Sequence, residues 1–328
     1  MGIRAAAVGL GWWGGILGQA AGDSGEVDLV TCFARSAESR EQYAQRFGCR
    51  TADSFEAVLD DPEVEALIVA TPHSLHLEMI EAAADAGKHV FVEKPLTLTV
   101  PDARACHAAA ERAGIVLQVG HHRRRSASNR RVKHLVDDGS LGLVHQLEAT
   151  FNVPKHQQPL TTWRGDRAES PAGGMTGLGV HMVDTMHYLV GPTKRVTAYS
   201  KRILGRWDID DATAVAFEFE SGPLGVLTTS LVLPKRCDIS VHGTEAIAWS
   251  EEDGTRVFRQ RKDQGSREEE QVEPLDPLAD QMVEFAACVR NGDRPETGGP
   301  EAIAVVAVLQ GIVMSVESGC SVDIADVG

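Results

Sequence analysis

Residues 173–191 read GGMTGLGVHMVDTMHYLVG. His181 and Asp184 are spaced i,i+3 and His181 and Tyr188 i,i+7, so a helix here presents all three on one face. An imidazole titrates near neutral pH and can carry a proton. Gly177 lies one helical turn before His181, where a side chain could help that proton move, and glycine has none. A second candidate stands far from this stretch: Lys94, in Glu93-Lys94-Pro95 after the apolar run HVFV. A partly buried lysine loses its proton more readily than a solvated one. A lysine and a histidine together suffice to hydrogen-bond one oxygen and to move its proton.

The elements that must position these groups are legible as alternating segments. IRAAAVGLG, VDLVTCFA (27–34), EALIVATP (65–72), HVFVEKP (89–95) and IVLQVGH (115–121) are short apolar runs, the pattern of buried parallel strands. Helical stretches such as SAESREQYAQRFG and PDARACHAAAERAG separate them. The alternation predicts βαβ units and a doubly wound parallel sheet. From 195 to 260, runs such as RVTAYSKRI, DATAVAFEFE and LGVLTTSLVL read as strands, and 261–280 reads as a charged loop or edge hairpin. The fold class expected is α/β, with domains over residues 1–121 and 122–328.

The first strand runs into Gly9-Leu10-Gly11-Trp12-Trp13-Gly14. Between a strand and a helix, GxGxxG marks a dinucleotide site. Gly9 allows the tight turn, Gly11 the approach of a pyrophosphate, and Gly14 the close packing of helix on strand. An acid at the end of the second strand would hold a ribose 2′-hydroxyl. Arg35 and Ser36 stand there instead, a cation and a hydroxyl suited to a 2′-phosphate. The expected cofactor is NADP, preferred over NAD. Lys94, at the carboxyl end of a strand, falls on the ligand side of such a sheet.

Net charge is −15, which argues against nucleic acid or an anionic membrane as partner. The six cysteines show no CxxC and no paired spacing, so neither a zinc site nor a disulfide frame is expected. Thiols kept reduced, and a start without a signal-peptide layout, point to the cytoplasm. No stretch is expected to reach the roughly 18 apolar residues of a membrane span.

Several motifs in order resemble the glucose-fructose oxidoreductase, inositol dehydrogenase and rhizopine-catabolism family (Gfo/Idh/MocA). They are GLGWWG, ATPHSLH (70–76), EKP (93–95), VGHHRRRSASNRRVKHLVDDGSLGLVHQLEATF, TTWRGD (161–166) and the segment from DQMVEF to VESG. The resemblance implies a Rossmann domain followed by a domain built on a large, mostly antiparallel open sheet. It implies a homodimer or homotetramer through that sheet. It also implies cofactor contacts at Trp12, Trp13, Thr71, Pro72, His73, His76 and Glu93 beside the residues above. Lys94 matches the family's catalytic lysine and His181 its histidine. The segments after the last Rossmann strand and around TTWRGD imply substrate contacts at His122, Arg123 and Arg164, with Asp184 beside them. Lys155 and His156 lie in the loop before TTWRGD. Of the run Arg123–Arg125, at least one is expected on a solvated face.

The family's helix carries an aspartate four residues before its histidine, and Gly177 replaces it. Thr176 and Asp184 are nearby to compensate. The activity implied is hydride transfer between a nicotinamide cofactor and the hydroxyl or carbonyl carbon of a small, sugar-like or cyclic, dihydrodiol-type substrate. The alternative is a non-catalytic, NADP-binding sensor of the same fold. Retention of both Lys94 and His181 favours the enzyme.

Overall fold

The computed structural model of the chain describes residues 2–155 and 163–328, so His156 and the two threonines of TTWRGD lie outside the described residues. The first sheet has six parallel strands: β1 (Ile3–Val8), β2 (Val27–Phe33), β3 (Arg50–Thr51), β4 (Ala66–Val69), β5 (His89–Val92) and β6 (Leu117–Val119). Their spatial order is β3-β2-β1-β4-β5-β6, so the order reverses at β1. Helices α1 (Trp12–Ser24), α2 (Ala37–Phe47), α3 (Phe55–Leu59), α4 (His76–Asp85) and α5 (Val100–Ala113) make the crossovers. Every residue of β4 is buried, which is why its sequence does not alternate. Ser36, Ser54 and Thr99 cap α2, α3 and α5 by accepting N–H bonds two or three residues into each helix. β3 is two exposed residues with no apolar run, and nothing in the pattern announces it.

The second sheet has nine strands: β7 (Val144–Asn152), β8 (Thr193–Lys201), β9 (Ala212–Phe219), β10 (Leu224–Ser230), β11 (Arg236–Gly243), β12 (Ala246–Glu251), β13 (Arg256–Arg261), β14 (Glu268–Glu270) and β15 (Val322–Asp323). The order is β14-β13-β12-β11-β7-β10-β9-β8-β15, antiparallel throughout except for the β7–β10 pair. Helices α6 (Ala127–Asp137) and α7 (Val180–Val190) share a core with one face of it. β9 shows the expected alternation, with Val215, Phe217 and Phe219 buried and Ala214 and Ala216 exposed between them.

The chain passes from one unit to the other between His122 and Arg123. The expected uninterrupted second domain is corrected further on, because residues 276–303 belong to the first unit. Helix α8 (Pro277–Asn291) buries Met282, Phe285 and Ala286 among Ile3, Leu17 and Phe91 of the first core. The Val119 N–H donates to the Thr297 carbonyl at 2.8 Å, and the Gln118 amide to the Gln281 carbonyl at 3.0 Å. Helix α9 (Gly299–Ser318) corrects the expectation that no segment is apolar enough for a membrane span. It meets that test by length and composition, but Val305, Val308, Leu309 and Ile312 lie in the core of the second unit.

Candidate active site

In the first unit the three glycines of the loop after β1 are each demanded by a different neighbour. Gly9 has φ +89°, and a Cβ there would fall 2.7 Å from the Ala70 carbonyl carbon. At Gly14 a Cβ would sit 2.1 Å from the Gly9 oxygen, so only glycine lets α1 start this close to the loop. Around Gly11 nothing lies within 4 Å of that position, and the backbone there is open to a ligand. α1 begins at Trp12, placing its free N–H groups and its positive dipole end beside this opening. The cradle fits a dinucleotide pyrophosphate. Trp12 is 78% exposed at the rim, and Trp13 stands behind it against His122, ring centroids 5.7 Å apart.

At the end of β2, Arg35 is exposed, as a 2′-phosphate partner must be. The Ser36 hydroxyl is engaged as the cap of α2, accepting from Ser39 N–H at 3.3 Å. Arg40, one turn into α2, folds back so that Nη1 donates to the Ala34 carbonyl at 2.9 Å. That puts a second guanidinium at the strand end. In the sequence its only signal is its spacing from Arg35 on a capped helix.

Lys94 follows β5 directly and is half-buried. Glu93 and His76, expected at the cofactor, are both buried. The Glu93 carboxylate accepts the Lys94 backbone N–H at 3.3 Å and presses on Gly120, where a Cβ would fall 2.7 Å from Oε1. The His76 ring is inaccessible, with Nδ1 3.0 Å from the Leu96 carbonyl and Nε2 3.3 Å from the Thr71 carbonyl. It ties the loop after β4 to the loop after Lys94. Of the ATPHSLH segment, Thr71 and Pro72 remain half-exposed and His73 is buried against His76.

In the second unit His181 lies on α7, 5% exposed. The helix does not start as a regular α-helix: Met175–Gly179 form a π turn that runs into Val180. Such turns widen a helix locally and recur at functional sites. The glycine pair before it has a steric cause. Gly173 has φ +55° with the Asp210 carbonyl oxygen 2.6 Å from where a Cβ would sit. Thr176, expected near the place of the missing carboxylate, is buried, and its hydroxyl accepts the Ala172 N–H at 3.2 Å. Gly177 is exposed, with nothing within 4 Å of a Cβ position.

Asp184, expected beside the substrate contacts, is paired with a buried arginine. It is 1% exposed, and both carboxylate oxygens are bound by Arg124, Nε at 2.9 Å and Nη2 at 2.5 Å. The expected solvated arginine among 123–125 is also corrected, since Arg124 and Arg125 are buried and Arg123 nearly so. Arg123 stacks its guanidinium on Phe151, 4.4 Å from the ring centroid, and bonds the Asp253 carboxylate. Phe151 in turn stands beside His181, centroids 6.0 Å apart. Sequence reasoning missed Phe151 and Asp253, and no local pattern marks either. Tyr188 packs among cations: its hydroxyl accepts from Arg130 at 2.8 Å and its ring meets Arg124 at 5.3 Å. Arg164 is exposed and lies over Trp163 at 4.1 Å. Burial, and then the charge of Arg164, push the Lys155 ammonium below its usual pKa. Among the described residues no cluster of histidine, cysteine and carboxylate side chains could hold a metal ion.

Two family descriptions match the chain: an oxidoreductase family with an NAD-binding Rossmann fold over residues 3–121, and the GFO/IDH/MocA C-terminal domain over residues 129–248. The chain belongs to the Gfo/Idh/MocA family. It is an NAD(P)-dependent oxidoreductase of that family. It is similar to a 1,5-anhydro-D-fructose reductase of Ensifer adhaerens, 28% identical over 94% of each chain. It is also similar to an NAD(+)-dependent scyllo-inositol 2-dehydrogenase of Bacillus subtilis, 29% identical over 78% of this chain and 76% of that one. An NADPH-dependent oxidoreductase of Desulfitobacterium hafniense, known by crystal structure, superimposes with a TM-score of 0.95 at 29% identity, covering 100% of this chain and 99% of that one. The names of two Bacillus subtilis relatives of this Gfo/Idh/MocA enzyme, both scyllo-inositol 2-dehydrogenases, record NADP(+) for one and NAD(+) for the other.

Proposed function

We propose that the enzyme transfers a hydride between NADP(H) and the hydroxyl or carbonyl carbon of a cyclic, sugar-like substrate. The retention of Lys94 after β5 together with His181 on α7 carries this reading, because a protein that only bound the cofactor would need neither. When bound, the nicotinamide supplies the hydride or accepts it. Lys94 hydrogen-bonds the reacting oxygen. In oxidation His181 takes the hydroxyl proton, and in reduction the imidazolium returns it to the carbonyl oxygen. Enclosure of both rings of the Phe151–His181 pair keeps bulk water away from the imidazole.

Three observations support the finer assignment. Arg35 and Arg40 at the end of β2 suit a 2′-phosphate, which favours NADP over NAD. The open space at Gly177 leaves room for a ring, as in the anhydrosugar and inositol substrates that the relatives' names record. Exposed Arg164 and half-buried Lys155 supply donors for a substrate rich in hydroxyls or bearing a carboxylate. A panel of anhydrosugar ketones, inositols and cyclic diols, followed by absorbance of the reduced nicotinamide, tests the reading. Turnover of open-chain polyols alone would overturn the ring assignment.

Assembly through the second sheet belongs to the same proposal. Tyr199, Leu224 and Val226 are 74%, 61% and 48% exposed on strands β8 and β10 of its uncovered face. A homodimer or homotetramer would bury them. The six unbridged cysteines support a reducing, cytoplasmic location.

A further inference from the structure

Arg123 is held at both ends. Its carbonyl accepts from the Ser126 hydroxyl at 2.5 Å and from the Asn129 amide at 2.8 Å. Its guanidinium bonds Asp253 and reaches the Cys237 sulfur at 3.3 Å. The acceptor comes from a turn in which three consecutive residues have positive φ. Glu252, Asp253 and Gly254 have φ values of 50°, 66° and 89°, and two of the three carry side chains that disfavour this region. The turn is locked from behind: a Cβ at Gly254 would fall 2.5 Å from the Ser126 hydroxyl, one residue beyond the arginine run. Lys235 steadies the other carboxylate oxygen of Asp253 at 2.8 Å. The strained turn therefore delivers one carboxylate to one guanidinium.

The guanidinium covers the face of Phe151, and Phe151 sits beside His181 with its plane tilted by 45°. Cys237 pairs with Phe151 across β11 and β7, and its thiol contacts the Met182 sulfur at 3.9 Å, next to His181. A cation seated on an aromatic face resists sliding of the ring beneath it. We propose that Arg123 is a positioning residue for His181: the strained turn fixes Asp253, Asp253 fixes Arg123, and Arg123 fixes the aromatic wall that orients the imidazole. Arg123 then contributes to turnover without touching substrate. This inference rests on the reading of His181 as the proton-handling group.

The test uses the full chain with NADPH or NADP and whichever of 1,5-anhydro-D-fructose and scyllo-inositol it turns over better. Arg123→Met should lower kcat about tenfold or more, the scale of a small misplacement of a reacting group. KM and NADPH affinity should stay within about twofold in the same variant, and intact NADPH binding shows that the fold survives. Arg123→Lys should recover most of the loss, because an ammonium can still sit on Phe151 and reach Asp253. Phe151→Leu should lower kcat similarly, and the Arg123→Met/Phe151→Leu double variant should be little worse than either single one. Asp253→Asn, in a partly exposed turn, should lower kcat in the same direction while keeping the shape of the side chain. A raised KM with unchanged kcat in Arg123→Met would assign Arg123 to the substrate instead, and no change in either would make it a bystander. Separately, near-normal turnover in His181→Asn overturns the proton-handling reading itself. An inactive His181→Asn beside an unaffected Arg123→Met overturns only the support.

Discussion

Arg124 grips Asp184 with two parallel bonds, 2.9 Å and 2.5 Å long, where both side chains are buried. The pair joins the segment before α6 to the middle of α7, one turn past His181. Removing one partner of a buried pair leaves the other charge uncompensated, at a cost of about 3–5 kcal/mol. Asp184→Asn keeps the shape and loses the charge. Its melting temperature should fall by several degrees, and turnover should fall with it. Calorimetry against wild type checks the first, and an unchanged melting temperature would show that the pair contributes nothing net.

Lys94→Ala and His181→Ala should each reduce turnover by about 10²-fold or more, the scale of a lost acid–base group. NADPH affinity should change little in His181→Ala, whose residue lies outside the Rossmann unit. Steady-state rates beside fluorescence titration decide it, and near-normal turnover in either variant removes that residue from the chemistry.

The cofactor preference is read by titrating NADPH and NADH separately. NADPH should bind more tightly, Arg35→Asp should shift preference towards NADH, and Arg40→Ala should weaken NADPH selectively. Gly14→Ala should abolish binding of both, because its Cβ collides with the Gly9 carbonyl. Equal affinities for the two cofactors in wild type would remove the phosphate-binding role of Arg35 and Arg40.

Gly177→Asp has space for its side chain. A carboxylate there stabilises the imidazolium of His181 and raises its pKa. Catalysis in the oxidation direction needs the neutral base, so the acid limb of the pH–rate profile should move to higher pH. Activity on bulky ring substrates should drop at the same time. An unmoved limb would mean that position 177 faces away from the imidazole.

Burial alone would raise the Asp253 carboxyl pKa, but the charge of Arg123 and the bonds from Lys235 and Arg123 outweigh it and hold the group down to about 2. A depressed carboxyl stabilises the fold above its unfolded value of about 3.9 and loses that contribution as pH falls through the folded value. The contribution is at most about 2 kcal/mol. Wild type should therefore lose melting temperature between pH 4 and about pH 2 more steeply than Asp253→Asn. Parallel slopes would contradict the ion pair.

Much of the first unit could be read from local pattern. Gly9, Gly11 and Gly14 each meet the constraint that their spacing suggests, and four of the apolar runs after β1 become strands β2, β4, β5 and β6. His181 and Lys94 were legible as residue types in context. What was not legible depends on contacts distant in sequence. Arg123 reaches Asp253 across 130 positions, and α8 returns to pack Phe285 on Phe91. The pairing of Asp184 with Arg124 spans 60 positions, and in sequence an acid near a site reads the same whether it faces a cleft or a buried arginine. Only packing distinguishes the two.

The π turn at Met175–Gly179 holds one residue more than a regular α-helix would need for the same length. Helix α7 thus carries a stored insertion just ahead of His181. Deleting a single residue between 175 and 179 would let the turn relax to ordinary pitch. The later side chains would then keep nearly the same facing relative to Gly174, because the wide turn already absorbs the extra residue. A deletion within regular α7, between 182 and 187, has no such reserve: it would turn everything beyond it by roughly 100° about the axis, carrying Asp184 or its followers away from Arg124. The turn ahead of His181 is therefore the place on this helix where chain length can change while the face it presents stays aimed.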